Sequence, residues 1–337
     1  MRIILDGMGG DNAPAAVVEG AVLASKEIQH EIAIIGQEEL IFAELKKYKY
    51  DENKIIVIDA REVISNDEAP VRAVRSKKDS SIVKGINMVK SGEGDVFISA
   101  GSTGALLSGG LFLLGRIQGI DRPALASVYP ILGGKASLLL DAGANAECKP
   151  NNLLEFGIMG NIYMEKVLGR ENPRVGLVNL GAEAAKGNTL TKAAYELLEQ
   201  SHMNFIGNVE AREVPKGACD VIVADGFTGN VILKLTEGLA WNILQLIKKK
   251  FTDGLKAKFG AALLIDKLGE LKKEFDYSEY GGAPILGVKG PVVKMHGSSK
   301  AAAVKNTILK AIPFVEEKVV ETIQNSVLEI EEITLSE

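Results

Sequence analysis

Short runs of β-branched residues alternate with longer amphipathic stretches along most of this chain, and this alternation restricts the fold more than any other feature. Such alternation produces a mostly parallel sheet with helices packed on both faces. Residues 220–224, Asp-Val-Ile-Val-Ala, have the apolar run that is typical of a strand inside a parallel sheet. The pattern predicts a three-layer α/β/α fold, as a single domain over residues 1–337.

The individual elements follow from composition and periodicity. Strands are predicted at 3–5, 32–35, 55–58, 96–99, 138–140, 175–179, 204–206 and 221–224. Helices are predicted at 13–26, 81–90, 152–167 and 190–200. No internal repeat and no linker rich in Pro, Gly or Ser divides the chain, so one domain is the simplest organisation.

Residues 231–280 interrupt the alternation, because the strand-forming runs stop there and helix formers dominate. We expect a helical hairpin that projects from the domain. Between residues 248 and 273 the chain carries eight lysines and three acidic residues, and a basic amphipathic helix is typical of contact with a membrane surface or an acidic partner. The alternative is a helix at a dimer interface or over the core, with its lysines in solvent. Apolar residues recur at helical spacing at Ala261, Leu264, Ile265, Leu268, Leu271 and Phe275.

Composition excludes several classes of protein. The 337 residues are 46% hydrophobic and 25% charged, as in ordinary globular proteins, and the net charge of −5 argues against a nucleic-acid partner. The two cysteines, Cys148 and Cys219, suit a reducing compartment rather than a disulfide framework. The sequence shows no secretory signal pattern, and no apolar run approaches the length of a membrane span, about 18 residues. A soluble, cytoplasmic protein is expected.

The first strand end carries an unusual loop, Asp-Gly-Met-Gly-Gly-Asp-Asn-Ala-Pro at residues 6–14. A dinucleotide-binding loop needs a third glycine where Asn12 stands, and a nucleotide P-loop needs Gly-Lys-Ser/Thr where the chain has Asn12-Ala13-Pro14. Asn12 suits the N-cap of the following helix, and Pro14 suits its first turn. The loop is therefore either a cradle of backbone donors or a tight turn without a ligand.

Similar loops follow other predicted strands, rich in glycine and in small donor side chains. They occupy residues 99–105, 141–145, 179–188 and 225–230, and a fifth, His296-Gly-Ser-Ser, precedes the last long helix. Ligands of open α/β sheets bind at the carboxyl ends of the strands. Helix N-termini and exposed backbone N–H groups at such places bind anions. A phosphate-like ligand is the natural inference.

Other chemistries have less support. The three histidines have no zinc-ligand spacing, and Gly101-Ser102-Thr103-Gly104 lacks the G-x-S-x-G spacing of a hydrolase. Cys148 has no histidine nearby in the sequence, so we interpret it and Cys219 as buried thiols. Four strand-end aspartates could hold Mg²⁺, although capping of turns is the commoner role: Asp6, Asp11, Asp141 and Asp225. We expect neither a metal nor a cofactor.

Taken together, these loops resemble the PlsX family, the phosphate acyltransferases of bacterial phospholipid synthesis. The resemblance covers nearly the whole chain, although the family has Ala at the position of Gly7 and Asn at that of Ser102. It rests on nine segments: DGMGGDNAP (6–14), SAGSTGA (99–105), RPALA (122–126), LLLDAGAN (138–145), GLVNLGAEAAKGN (176–188), FIGNVEAREV (205–214), DGFTGNVILKLTEG (225–238), YGGAPILGVKG (280–290) and HGSS (296–299).

The resemblance implies transfer of a fatty acyl group from acyl carrier protein to inorganic phosphate, without a cofactor. The acyl phosphate would then serve a membrane glycerol-3-phosphate acyltransferase. The fold would be similar to that of phosphotransacetylases and isopropylmalate dehydrogenases, usually as a homodimer. The implied location is cytoplasmic, with peripheral contact at the inner face of the plasma membrane.

Phosphate itself is the nucleophile in this chemistry, so the protein must supply positioning and fixed dipoles. Lys186 and Asn230 are the leading catalytic candidates, as cation and amide donor on adjacent strand-end loops. The candidates for binding phosphate or substrate are Gly9, Gly10, Asp11, Asn12, Ser102, Thr103, Asn145, Thr228, Gly229, His296 and Ser298. The candidates for contact with a membrane or the acidic carrier protein are Lys258, Phe259, Leu263, Leu264, Ile265 and Lys267.

Two other functions stay open at this point. A phosphotransacetylase-like enzyme acting on acyl-CoA would share the fold and the phosphate nucleophile. A non-catalytic regulator of phospholipid synthesis would share the membrane contact. A nicotinamide-linked dehydrogenase is disfavoured, because the third glycine of the dinucleotide loop is absent.

Overall fold

The computed structural model describes residues 1–133, 135–267, 269 and 281–336. Twelve strands in this part of the chain form two sheets. The first sheet has seven strands in the order β3-β2-β1-β4-β12-β11-β5. Its strands are β1 (Arg2–Asp6), β2 (Glu31–Gly36), β3 (Ile55–Asp59), β4 (Val96–Ser99), β5 (Ala124–Leu125), β11 (Ala283–Leu286) and β12 (Val292–Lys294).

The second sheet has five strands in the order β6-β7-β10-β8-β9. Its strands are β6 (Ser127–Ile131), β7 (Lys135–Leu140), β8 (Val175–Asn179), β9 (Phe205–Glu210) and β10 (Val221–Val223). Both sheets are parallel in their centres, and antiparallel pairing occurs only where β5, β6 and β11 join them. A single residue, Ala126, separates β5 in one sheet from β6 in the other.

Eleven α-helices accompany these strands within the described residues. They are α1 (Ala15–Ser25), α2 (Glu38–Leu45), α3 (Pro70–Ser76), α4 (Ser81–Ser91), α5 (Thr103–Gly109), α6 (Pro150–Lys166), α7 (Thr189–Glu199), α8 (Gly226–Thr252), α9 (Leu255–Leu263), α10 (Ala301–Glu316) and α11 (Val319–Ser336). A π-helical turn, Gly110–Leu114, continues α5.

The core confirms the predicted layers. Successive residues of a strand point to opposite faces of its sheet. Ile3 and Leu138 accordingly belong to one apolar cluster, while Ile4 and Leu139 belong to the other. Each cluster contains residues of both sheets, so the apolar layers run across the two sheets.

The predicted α/β fold with mostly parallel strands is confirmed, and all eight predicted strands and four predicted helices are present with small shifts at their ends. The strands divide between two sheets, which alternation alone does not reveal. Four strands were missed, because each is short or contains proline or lies beside glycines: β5, β6, β11 and β12. The single domain over 1–337 stays a prediction.

The predicted hairpin begins earlier than residue 231, because α8 starts at Gly226 and runs for 27 residues. The shorter α9 follows after a turn and packs back against α8. Leu268, Leu271 and Phe275, which were predicted to continue the apolar face, lie outside the described residues. In the described part of the chain, no helix combines the length and apolar character that crossing a bilayer requires.

Candidate active site

The carboxyl ends of the two sheets face each other across a cleft of about 430 Å³. The first sheet contributes the loop after β4 and the loop after β12, through Gly101, Thr103 and His296. The second sheet contributes the loop after β7 and the first turns of α8, through Gly143 and Asn230. Four of the glycine-rich loops predicted to meet at one sheet edge therefore do meet, although they belong to two sheets.

Asp141 organises the loop after β7. Its buried carboxylate accepts hydrogen bonds from the backbone N–H groups of Leu125, Gly143, Ala144 and Asn145 at 2.7–3.1 Å. The side-chain amide of Asn145 donates to the same carboxylate at 2.9 Å. These bonds fix the loop that forms one wall of the cleft, which is the capping role expected for this aspartate.

The base of α8 lies directly against that loop. Asp225 caps the helix, because its carboxylate accepts the N–H of Thr228 at 2.9 Å. A Cβ atom added to Gly229 would lie 1.9 Å from the carbonyl oxygen of Asp141, so only glycine permits this approach. The close contact places Asn230, the next residue, beside Gly143 at the cleft.

Two lysines that sequence reasoning missed, Lys234 and Lys294, also line the cleft. Lys234 lies one turn after Asn230 on the same face of α8 and pairs with Glu237 at 2.8 Å. Lys294 ends β12 and donates to the carbonyl oxygens of Ala100, at 3.2 Å, and Met295. Its position two residues before His296 is the one sequence signal that could have identified it.

Burial and the charges of the lysines that line the cleft affect the pKa values of Lys294 and His296. The pKa of Lys294 is lowered to about 8, chiefly by burial and also by the charge of Lys234, while Asp6 and Asp11 act in the opposite direction. Partial desolvation, followed by the charge of Lys234, also lowers the pKa of His296 below its ordinary value. Like charges in one cleft disfavour their own protonation and favour a bound anion.

His296 and Ser298 interact with each other, since His296 Nδ1 and Ser298 Oγ are 2.8 Å apart. Of this pair, only His296 lines the cleft. Ser298 therefore orients the imidazole, and the backbone N–H of Ser298 also approaches Nδ1 at 3.3 Å.

The first loop supports the cleft from behind. The N–H of Asp11 donates to the carbonyl of Gly297 at 2.8 Å, and Gly9 and Gly10 pack against Gly101 and Ala100. None of the four predicted residues of this loop, Gly9, Gly10, Asp11 and Asn12, lines the cleft. The loop therefore holds the two lining loops in place.

The expected N-cap role of Asn12 is wrong. Helix α1 begins at Ala15 after Pro14, and no side chain caps it. The amide of Asn12 instead donates to the carbonyls of Ser298 and Ser299 at 3.1 and 3.2 Å. Tertiary contact with the His296–Ser299 loop thus replaces the local cap.

Of the remaining predicted ligands, some line the cleft or the neighbouring cavity, and others cap helices. Thr103 lines the cleft, whereas the buried Ser102 caps α5 through a bond from the N–H of Ala105 at 3.4 Å. The hydroxyl of Thr228 donates to Asp225 at 2.8 Å, so it belongs to the helix cap. Asn145 donates to Asp141 and to the carbonyl of Pro123 and lines a neighbouring cavity.

Lys186 is not among the residues that line the cleft. It lies on the loop after β8, is exposed, and is held through its backbone: its N–H donates to Glu183 O at 3.0 Å, and its carbonyl accepts from Asn179 at 3.2 Å. Strand β8 neighbours β10, so this loop and the base of α8 share one sheet edge. The catalytic role of Lys186 stays a prediction.

Neither cysteine is activated as a nucleophile, and the described part of the chain shows no cluster of metal ligands. Cys219 is buried as predicted, whereas Cys148 is only partly buried. Desolvation raises the pKa of the Cys148 thiol to about 11 and that of Cys219 to about 12, which keeps both protonated at neutral pH. Asp6 accepts from Ser99 Oγ at 2.6 Å and from Met8 N–H at 3.0 Å, as expected for a turn-capping aspartate. Among the described residues, no three His, Cys, Asp or Glu side chains are grouped as a metal would require.

The hairpin exposes the apolar residues that were predicted to meet a membrane or a carrier protein. Phe259, Leu263, Leu264 and Ile265 are 71, 73, 45 and 67% exposed. The adjoining lysines Lys258 and Lys267 are also exposed. Along α8 the exposed apolar residues continue through Leu235, Leu239, Trp241, Ile243 and Leu246. Exposed apolar residues in this number are typical of an interaction site.

Comparison with known proteins places these observations in context. The model of the family described as "Fatty acid synthesis protein" matches residues 1–322. A phosphate acyltransferase of Clostridioides difficile (strain 630) is 54% identical over 323 residues, covering 96% of this chain and 95% of that protein. A phosphate acyltransferase of Alkaliphilus oremlandii (strain OhILAs) is 56% identical over 327 residues, covering 97% of both.

Solved structures resemble the fold at low sequence identity. A phosphotransacetylase from Streptococcus pyogenes superimposes with a TM-score of 0.62 at 16% identity, covering 95% of this chain and 94% of that one. The EutD phosphotransacetylase from Staphylococcus aureus gives a TM-score of 0.56 at 16% identity, with 94% of both chains covered. The expected similarity of fold to phosphotransacetylases is confirmed.

Proposed function

The chain belongs to the fatty acid synthesis protein family, and from this premise we propose that it transfers a fatty acyl group from acyl carrier protein to inorganic phosphate. It is an acyltransferase, since the relatives are named phosphate acyltransferases and the family is described by fatty acid synthesis. The acyl phosphate product would supply a membrane glycerol-3-phosphate acyltransferase in phosphatidic acid synthesis.

One observation carries the proposal: the cleft gathers an amide, two lysines and a histidine at the carboxyl ends of both sheets. In the reaction, an oxygen of hydrogen phosphate attacks the thioester carbonyl, and the new C–O bond replaces the C–S bond. The proton of hydrogen phosphate ends on the departing sulfur. A protein nucleophile is not required, which agrees with the protonated state of both cysteines.

Each residue is assigned a role in the reaction according to its position relative to the cleft. Lys294 and Lys234 hold the phosphate dianion, since both line the cleft and Lys294 is anchored by two carbonyls. Asn230 donates its side-chain N–H to the developing oxyanion from the base of α8. His296 lies where it can hydrogen-bond the phosphate or the leaving sulfur. Lys186 would reach the acyl donor from the neighbouring loop.

The exposed surface of the hairpin is consistent with the other two partners of the proposal, a second copy of the chain and a membrane. Its exposed apolar residues fit a homodimer interface near α8 and a peripheral membrane contact at α9, where residues 248–267 carry six lysines and two aspartates. A cytoplasmic enzyme that touches the inner face of the plasma membrane would release its lipid-like product near the next acyltransferase.

The test is incubation of the protein with palmitoyl-carrier protein and phosphate, with measurement of acyl phosphate and of free carrier thiol. Asn230→Ala should lower turnover about 100- to 1,000-fold, the usual effect of removing one oxyanion donor. Lys186→Ala should also lower turnover, while the matched variants Asn161→Ala and Lys192→Ala should not.

Each alternative has its own outcome in this assay. Equal or faster turnover with palmitoyl-CoA would favour a phosphotransacetylase-like enzyme. Failure to release thiol from either donor would reject catalysis on acyl thioesters. Full activity of both Asn230→Ala and Lys186→Ala would reject the site but not the reaction.

A further inference from the structure

A second cavity, of about 630 Å³, adjoins the cleft. The two share walls: Ala142 and Gly143 line the cleft, whereas Ala144 and Asn145 of the same loop line the second cavity. Helix α5 is shared in the same way, with Thr103 at the cleft and Leu107 at the cavity. Since Gly143 and Asn145 are two residues apart, only about 7 Å of chain separates the two spaces.

The floor of this cavity is apolar and open to solvent. Leu107, Leu111 and Pro123 line it, and at its edge Val71 and Phe112 are 41 and 51% exposed. The guanidinium of Arg75 lies over the ring of Phe112, 5.6 Å from the ring centroid, in a cation–π contact. An exposed aromatic ring stacked by arginine is a common centre of a protein interface.

Three of the nine arginines of the chain surround this floor: Arg75, Arg116 and Arg122. We call this surface the arginine groove. Arg116 pairs with Asp121 at 3.0 Å. Neither Arg75 nor Arg122 makes an ion pair with any residue in the described part of the chain. In a protein of net charge −5, the groove is therefore locally cationic.

Two acidic side chains, Asp121 and Glu155, lie beside the groove, and the pKa of Asp121 is lowered chiefly by its hydrogen bond with Asn152 and also by the charge of Arg122. The carboxylate of Glu155 accepts the backbone N–H groups of Asp121 and Arg122 at 3.0 and 3.3 Å, so it fixes the loop beneath Arg122. Asp121 accepts from Arg116 and from Asn152 at 3.2 Å. Arg75 therefore rests on Phe112 and Arg122 is held by its backbone, and neither guanidinium has an ion-pair partner within the described residues.

We propose that the arginine groove docks the acidic carrier protein that presents the acyl thioester, with Arg75 and Arg122 facing its carboxylates and Phe112 its apolar surface. This inference rests on the proposed function. Arginine and aromatic residues are enriched at protein interfaces, whereas lysine is depleted. The groove presents Arg75, Arg122 and Phe112, whereas residues 248–267 of the hairpin carry six lysines and no arginine.

Position also favours the groove over the hairpin as the carrier dock. A carrier must deliver its thioester to the cleft, and the groove shares the 141–145 loop with the cleft. The exposed lysines of residues 248–267 lie on the far turns of α8 and on α9, beyond the residues of α8 that line the cleft. The hairpin is left for the lipid or dimer contact.

The experiment compares two donors of one acyl group: acyl-carrier protein and the small thioester acyl-pantetheine. Arg75→Glu and Arg122→Glu should each raise the KM for the carrier-bound donor at least about tenfold, since like charges across an interface cost several kcal/mol. The rise should be confined to that donor. The affinity for carrier protein without an acyl group, measured by titration, should fall in parallel and should weaken with added salt in the parent protein.

Controls separate the possible sites. Arg212→Glu, at an exposed arginine after β9 on the far edge of the second sheet, should leave the KM for both donors unchanged. Lys258→Glu tests the hairpin as the rival dock. The inference is overturned if Lys258→Glu raises the KM for the carrier-bound donor while the two arginine variants do not.

Two further outcomes also decide against the groove or against its premise. An equal rise in KM for both donors would mean that the groove holds the pantetheine or acyl part rather than the carrier. No acyl phosphate from either donor with the parent protein would reject the proposed function itself. Turnover of acyl-pantetheine by each variant shows that the variant is folded.

Discussion

The two halves of α8 differ in how they are held by the rest of the chain. Its first half contains the only buried residues of the helix, Gly226 and Gly229, and it contributes Asn230 and Lys234 to the cleft. Its second half contains no buried residue and exposes Leu239, Trp241 and Leu246 at 57, 62 and 56%, continuing the apolar exposure of Phe227, Val231 and Leu235 in the first half. The first half is fixed by backbone contact with its own chain. The second half has the apolar surface of a helix whose partner is another molecule.

The comparison teaches that one element can serve chemistry at one end and association at the other. The N-terminal half needs glycine and a capping aspartate, because the helix must approach the 141–145 loop closely. The C-terminal half needs only length and exposed apolar residues. Substitutions in the two halves should therefore have separable consequences.

The largest effect is expected at the base. Gly229→Ala would place a Cβ atom 1.9 Å from the carbonyl of Asp141 and force α8 away from the loop. We expect turnover to fall at least about 100-fold, since a displacement near 1 Å is enough to disrupt reacting geometry. Urea unfolding should show a loss of about 1–3 kcal/mol, as for other overpacked sites. Normal turnover would show that the close contact does not position Asn230.

A smaller effect is expected at Lys294, which faces the base of α8 across the cleft. Lys294→Met should raise the KM for phosphate about 10- to 100-fold, the equivalent of losing a charge-assisted hydrogen bond of about 1.5–3 kcal/mol. The KM for the acyl donor should change much less. A proportional rise in both constants would indicate that Lys294 only holds the Ala100 and Met295 carbonyls.

The pH dependence of phosphate binding gives an independent check on this lysine. The pKa of Lys294 is lowered to about 8, so its positive charge is present below that pH and is lost as the pH rises through it. The KM for phosphate should therefore rise above about pH 8 in the parent protein. In Lys294→Arg the cation persists, and the rise should move to higher pH.

At the far end, Leu263→Glu should alter association without altering chemistry. The side chain is 73% exposed, so its replacement by a charge leaves the fold intact but removes apolar contact with lipid. Co-sedimentation with vesicles that contain anionic lipid should fall several-fold, while turnover of a small donor should stay within twofold of the parent, roughly. Leu40→Glu, at a 45% exposed leucine on α2, is the matched control. Unchanged sedimentation would reject the lipid contact.

The smallest effect is expected at Gly238, the glycine that begins the exposed half. A Cβ atom there would meet no atom within 4 Å, in contrast to Gly229. Gly238→Ala should therefore stabilise the protein by about 0.5–1 kcal/mol, because alanine loses less backbone entropy in a helix. Urea unfolding measures this gain. A loss of stability would mean that the second half of α8 is packed more closely than its exposure indicates.

The sequence was sufficient for eight of the strands, because each is a short apolar run, but it missed β12, which pairs in parallel with β4. It was insufficient for the division into two sheets. Alternation determines how strand and helix follow each other, but not which sheet a strand joins, and the crossing at Ala126 leaves no recognisable signal. The antiparallel strands β6 and β11 contain Pro130 and Pro284, which obscured them.

For the site, the loops were predicted better than the individual side chains. Asn230, Thr103 and His296 do line the cleft, whereas the side chains of Asn12, Ser102 and Thr228 are used to hold loops and helix ends. A small polar residue in a glycine-rich loop has the same sequence signature in either role. Lys234 and Lys294 were missed because they belong to a helix and a strand rather than to a loop.

The attachment of α8 also has a mechanical consequence. Besides its base at Gly229, the helix is tied at Thr236, whose hydroxyl lies 2.8 Å from that of Tyr129. At 1.5 Å per residue, the two supports stand about 10 Å apart and the remaining overhang is about 24 Å long. In such a cantilever, bending is concentrated beyond the outer support, so a load at the free end reaches Asn230 much attenuated. We therefore expect contact at the tip of the hairpin to leave the geometry between the two supports unchanged.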